Sequence, residues 1–324
     1  MTQLSTTFAG LKLKNPIIVS SSGLTNSVEK IKKLEAAGAG AVVLKSVFEE
    51  QIKVQAGQMS GYGAPEADDY LNAYVRSNAL NEHIELIKEA KKSCSIPVIA
   101  SINCYSTSEW TDFAKHMEEA GADALEINIL SLQSEKDYTY GSFEQLHIDV
   151  LKSIKKTVKI PVIMKLGSNL TNPVALINQL YANGAAAVVL FNRFYQPDIN
   201  IDTMTFTSAN VMSEPAELAE KIRWTAIASA AVSQIDYAIS GGVHCGKGVI
   251  KSILAGASAV EVCSAIYKYG EKEIAEMTKE LSEWMTSKGY ENIESMKGKM
   301  NAKAAGSINP FERTQFMKYY SNHE

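Results

Sequence analysis

The chain has 324 residues, a formal net charge of −4, and 46% hydrophobic against 21% charged residues. This is globular composition with enough apolar residues for a large core, and its mild acidity offers no footprint for nucleic acid or anionic lipid. No apolar run approaches the ~20 residues of a membrane span, and Met1 to Thr7 lack the basic and apolar regions of a signal peptide. The cysteines Cys94, Cys104, Cys245 and Cys263 are widely spaced without a CxxC pair. A disulfide framework and a metal site are therefore not expected, and a reducing cytoplasm is.

In chain order, Asn15-Pro16-Ile17-Ile18-Val19-Ser20 predicts a first buried strand, and Val28 to Ala37 an amphipathic helix. The helix runs into Gly38 and a second strand around Ala41-Val42-Val43-Leu44. Helix His83 to Cys94 leads to a strand opened by Pro97 and ending at Ser101, and helix Glu109 to Ala120 to a strand over Ala124 to Ile127. Helix Phe143 to Val158 precedes a strand opened by Pro161 and ending at Lys165. Helix Val174 to Ala182 precedes Ala187 to Leu190, helix Ala216 to Val232 precedes Asp236 to Ser240, and helix Gly248 to Leu254 precedes Ala259 to Val262. A last helix is expected over Glu271 to Lys288.

A repeated phrase supports this order. Ala37-Gly38-Ala39-Gly40-Ala41-Val42-Val43-Leu44 returns in related form at Ala120-Gly121-Ala122, Asn183-Gly184-Ala185 and Ala255-Gly256-Ala257. Each copy reads as a helix stopped by a left-handed Gly, a tight loop and a buried parallel strand. Eight alternating β and α units predict a closed (β/α)₈ TIM barrel forming one domain over 1–324. Connections at about 47–80 and 193–215 exceed the rhythm and fall on the C-terminal face, where barrel active sites form.

Polar residues cluster at the strand ends: Lys45 and Ser46, Ser101, Asn128, Lys165, Asn192, and Cys263 with Ser264. Burying lysine or asparagine there without partners costs several kcal/mol, roughly, so these groups are expected to face a ligand or one another. Ser240-Gly241-Gly242-Val243 follows the seventh strand and leads into Gly246-Lys247-Gly248 at a helix start. Backbone donors after strands seven and eight form the usual barrel phosphate site. His244, Cys245 and Cys263 read as incidental or packing groups.

These rim residues resemble the dihydroorotate dehydrogenase family of FMN-dependent barrels. Asn15-Pro16 through Ser21-Ser22-Gly23 is similar to that family's NP…ASG opening, Leu44-Lys45-Ser46 to its TKS segment, and Glu126-Ile127-Asn128 to the start of its ELNxSCPN motif. Ser240 to Val243 and Gly256 to Ala265 resemble its GGV and GAxxVQxGTA phosphate elements, and Lys288 to Lys299 the tail of its soluble class-1 branch.

The resemblance implies oxidation of dihydroorotate to orotate in pyrimidine biosynthesis, with FMN taking a hydride while a side chain removes a proton. It implies Ser131 and Lys45 as catalytic residues. FMN contacts would come from Ser21, Ser22, Gly23, Lys45, Ser46, Asn128, Lys165, Ser240, Gly241, Gly242, Cys263 and Ser264, and substrate contacts from Lys45, Asn128, Gln133 and Asn192. It further implies a homodimer, with a separate electron-transfer subunit or a soluble acceptor receiving the electrons. The chain departs from the pattern at Leu132 and Gln133, at Arg193, and over Ser60 to Tyr70, where the orotate loop is not recognisable. Ser131 itself is similar to the membrane-associated class-2 branch. An FMN enzyme for another cyclic substrate and a non-redox sugar-phosphate barrel therefore stand as alternative readings.

Overall fold

The computed structural model describes residues 2–48, 65–103 and 110–312. Its centre is a cylinder of eight parallel strands: Ile17–Val19, Ala41–Val43, Val98–Asn103, Ala124–Asn128, Val162–Gly167, Ala187–Asn192, Asp236–Ser240 and Ala259–Val262. Each strand pairs with the next in chain order, and the eighth closes on the first through Val260 and Ile17. The repeat glycines Gly38, Gly121, Gly184 and Gly256 have φ between +90° and +117°, the left-handed helix stop that the repeated phrase predicts.

Strand alternation divides the core in two. Outward residues such as Ile17, Val42, Leu125 and Val260 pack under the helices, while Ile18, Val43, Ile99, Ala124, Ile163 and Ala259 fill the barrel. The barrel floor is sealed by Phe8 and Leu13, each 1% exposed. They belong to a hairpin, Thr6–Phe8 against Leu11–Leu13, that lies before the first element read from the sequence.

Two connections differ from the sequence reading. The helix expected from His83 begins at Pro65 and runs unbroken to Ser93, so much of the 47–80 insertion is helical; residues 49–64 lie outside the described ones. The 193–215 insertion contains an antiparallel hairpin, Pro197–Asn200 against Thr205–Ser208, with every strand residue exposed. Its apolar side chains follow no strict alternation, which is why it reads as loop in sequence.

Candidate functional site

Two residues beyond the apolar barrel layer, the inward face of five strands turns polar. Ser20 follows Ile18, Ser101 follows Ile99, Glu126 follows Ala124, Lys165 follows Ile163 and Glu261 follows Ala259. All five are buried, with Lys165 at 4%, Glu261 at 2% and Glu126 at 0% exposure. Lys165 Nζ lies 2.5 Å from Glu261 Oε2, 3.6 Å from Glu126 Oε1, and donates to Ser20 Oγ at 3.0 Å. Burial alone would depress the ammonium, but the adjacent Glu126 and Glu261 hold its pKa above the ordinary lysine value.

A belt of hydrogen bonds continues along the ends of the first four strands and the sixth. Ser21 Oγ meets Ser46 Oγ at 2.9 Å, and Ser46 Oγ meets Ser101 Oγ at 2.7 Å. Asn128 Nδ2 donates to Ser101 Oγ at 3.1 Å, and Asn192 Nδ2 donates to Asn128 Oδ1 at 3.1 Å. The polar strand ends thus satisfy one another, as their burial requires.

Above this layer a cavity of about 120 Å³ is bounded by Lys165 and Glu261 on one side and by Ser240, Gly241, Gly242 and Ser264 on the other. Gly241 and Gly242 have φ of +92° and +82°. A Cβ on Gly242 would stand 2.4 Å from the backbone nitrogen of Leu218. This turn therefore admits only glycine and brings its backbone close to whatever fills the mouth. Gly242 N–H donates to Ser213 Oγ at 3.3 Å, Ser213 N–H donates to Ser264 Oγ at 3.0 Å, and Ser213 Oγ is 3.0 Å from His244 Nε2. Ser213 thus supplies the oxygen that accepts from the N–H of the glycine turn. Arg193 ties this segment down through the carbonyls of Asn210 and Val211 and through Glu217.

Most residues expected at the site meet here: Ser21, Lys165, Asn192, Ser240, Gly241, Gly242, Cys263 and Ser264 border the cavity, and Ser46 and Asn128 join it through the belt. Ser22 accepts from Leu24 N–H and caps the short helix Gly23–Thr25, so its hydroxyl is committed locally. Lys45 does not share the dry environment of Lys165, because its side chain is exposed at the second strand's end. Ser131 and Gln133 stand at the rim, joined by a 3.3 Å hydrogen bond, outside the cavity lining. Burial pushes the Cys263 thiol up, in keeping with a packing role.

Ser213, His244, Glu126 and Glu261 belong to the site although reasoning from sequence gave them no place there. A glutamate inside each of two otherwise apolar strands, Ala124-Leu125-Glu126-Ile127 and Ala259-Val260-Glu261-Val262, was the available signal.

The dihydroorotate dehydrogenase family model matches residues 3–285. A Thermoplasma volcanium protein named "Dihydroorotate dehydrogenase B (NAD(+)), catalytic subunit" is 34% identical over 92% of this chain and 98% of its own length. Proteins of the same name from Thermoplasma acidophilum and Methanocaldococcus jannaschii are 28% and 29% identical, over 92% and 82% of this chain and 99% and 88% of theirs. The chain belongs to the dihydroorotate dehydrogenase family. It is accordingly a dehydrogenase acting on a CH–CH group, from a family of flavoproteins, and the non-redox sugar-phosphate reading is set aside. Among the described residues, no helix is long and apolar enough to cross a membrane.

Proposed function

We propose that this enzyme oxidises dihydroorotate to orotate with FMN as its cofactor. The observation that carries the reading is a single cavity with a buried ammonium at one end and a glycine turn at the other. Lys165 would face the flavin ring, and Gly241, Gly242 and Ser264 would hold the phosphate, with Ser21, Ser22, Gly23, Ser46, Ser240 and Cys263 flanking them. Bound FMN supplies a two-electron acceptor for the hydride leaving C6 of dihydroorotate. Lys45, Asn128, Gln133 and Asn192 would hold the substrate, with Lys45 assisting the reaction from the second strand's end. Ser131 would take the proton from C5.

The donor set suits FMN, whereas the space requires movement. Sites for drug-sized ligands enclose ~300–1,000 Å³, so a flavin entails outward movement of part of the lining of the 120 Å³ mouth. Ser213→Asp is accordingly expected to weaken FMN binding about tenfold or more, since its carboxylate would stand against the phosphate. Fluorescence titration measures this. Unchanged affinity would mean that the segment swings clear of the phosphate.

Ser131 has a hydroxyl of ordinarily high pKa, and its partner Gln133 is a donor and no base. If Ser131 removes the C5 proton, Ser131→Ala slows bleaching of the flavin by dihydroorotate about 10²-fold with FMN affinity kept. Stopped-flow absorbance checks this, and equal rates would exclude Ser131 as the base.

The reaction itself is tested by anaerobic titration of the flavin-loaded protein. Bleaching by dihydroorotate supports it. An oxidised spectrum at millimolar substrate would favour another cyclic substrate, to which the departures at Gln133 and Arg193 lend support. The relatives' designation "catalytic subunit" supports electron delivery to a separate subunit. Ile199, Met204 and Phe206 on the exposed hairpin offer apolar surface for that partner or for a homodimer. We place the enzyme in the cytoplasm on the cysteine usage described above.

A further inference from the structure

The buried cluster around Lys165 contains one more carboxylate than its charge requires. Glu126 and Glu261, both ionised beside one ammonium, would leave a net negative charge in a dry barrel, an arrangement proteins relieve by binding a proton. Each carboxyl also keeps one oxygen, Glu126 Oε2 and Glu261 Oε1, without a hydrogen-bond partner among the described residues. Both carboxyls face the same ammonium, with Glu261 Oε2 at 2.5 Å and Glu126 Oε1 at 3.6 Å from Lys165 Nζ. A proton placed between them satisfies an otherwise orphaned oxygen and neutralises the cluster in one step.

We propose that Glu126 and Glu261 share a single proton, forming an acid–carboxylate pair that fixes Lys165 as a permanent ammonium and stores a proton at the wall of the ligand cavity. The proton resides mainly on Glu126. Burial and then the neighbouring charge of Glu261 push its carboxyl far above the usual range. Burial also pushes Glu261 upward, but the Lys165 ammonium together with hydrogen bonds from Glu126, Lys165 and Ser20 outweighs it and holds Glu261 below its usual range. The other groups facing the cluster are the hydroxyls of Ser20 and Ser101, the Asn128 amide and the thiol of Cys263. Among the described residues, only Cys263 of these titrates besides the pair, and it is pushed upward, which leaves the pair to bind the proton.

Both glutamates are positioning residues, since they act through Lys165. Their value to catalysis rests on the FMN site proposed above, but the shared proton does not. It is therefore sought in cofactor-free protein, where its failure and that of the FMN reading are separable. Infrared spectroscopy at pH 8 is expected to show one protonated carboxyl C=O stretch per chain that shifts in D2O. The band should vanish in Glu261→Gln, where Glu126 is left as the sole counter-ion of Lys165 and ionises, and also in Glu126→Gln. Retention in either variant overturns sharing, as does a wild-type spectrum without the band. Carboxyl-13C labelling of glutamate moves the band only if a glutamate bears the proton, so wild-type protein alone decides if a variant fails to fold.

The pH dependence of stability gives an independent readout. Glu126, with its folded pKa raised, contributes stability below its unfolded value of about 4.3 that is lost as pH rises toward the folded value. Glu261, with its pKa lowered, contributes above that value and loses its contribution as pH falls. Urea denaturation should find the decline above pH 5 flattened in Glu126→Gln, and an unchanged slope would contradict a proton on Glu126.

Discussion

Lys165→Met is expected to lower stability by about 3–5 kcal/mol at pH 8 and to cut flavin reduction by about 10²–10³-fold. The stability loss follows from the partners left behind. Lys165 is 4% exposed and stands between Glu126 and Glu261, at 0% and 2%, so its removal strands buried carboxyls without a cation. Methionine fills similar volume, which separates charge from cavity. The sign of the pH dependence identifies the cause. Without the ammonium, both carboxyls have folded pKa values above their unfolded ones. Their stabilising contribution is then present below about pH 4.3 and is lost as pH rises through the folded values. The variant should approach wild-type stability near pH 5 and fall away toward pH 8, as urea denaturation at the two values would reveal. An equal deficit at both would assign the loss to packing alone.

The barrel was legible because its signal is repeated and local. Glycine stops at Gly38, Gly121, Gly184 and Gly256 recur at the same distance from an apolar strand, and each strand then meets its neighbour in chain order. The hairpin that seals the floor escaped notice because Thr6–Phe8 and Leu11–Leu13 are three residues each, too short for alternation to stand out from chance. Residues of the cavity were read from strand ends, which favoured Lys165, Asn128 and Asn192. The same procedure treated Lys45 as an equal of Lys165, although the second strand exposes it while the fifth buries its lysine. Glu126 and Glu261 share the layer of Lys165 but lie one inward position below Asn128 and Cys263 on their own strands, and so escaped a search confined to strand ends. Ser213 illustrates a different limit. It reaches Gly242 and Ser264 across 29 and 51 residues of sequence, through a connection whose path is set by Arg193 and Glu217 and by no periodicity.

Gly242→Ala tests the opposite end of the cavity and is expected to weaken FMN binding about 10²–10⁴-fold. Two costs combine. At φ +82° an alanine adopts a left-handed conformation, costing roughly 1–2 kcal/mol, and its Cβ would stand 2.4 Å from Leu218 N and 2.9 Å from Leu218 Cα. Backbone cannot yield as a side-chain tip does, so either the turn or the start of the helix Leu218–Ala231 must shift. A shifted turn withdraws the Gly242 N–H and disturbs its alignment with Ser264. Hydrogen bonds to a charged group contribute about 1.5–3 kcal/mol each, and loss of two gives the stated range. Gly289→Ala is the control: its φ is +73°, with nothing among the described residues within 4 Å of the added carbon. It should therefore incur the conformational cost alone. Thermal denaturation should show Gly289→Ala slightly destabilised with FMN affinity intact, and Gly242→Ala deficient in both. Equal FMN affinity in the two variants would remove the Gly241-Gly242 turn from the phosphate site.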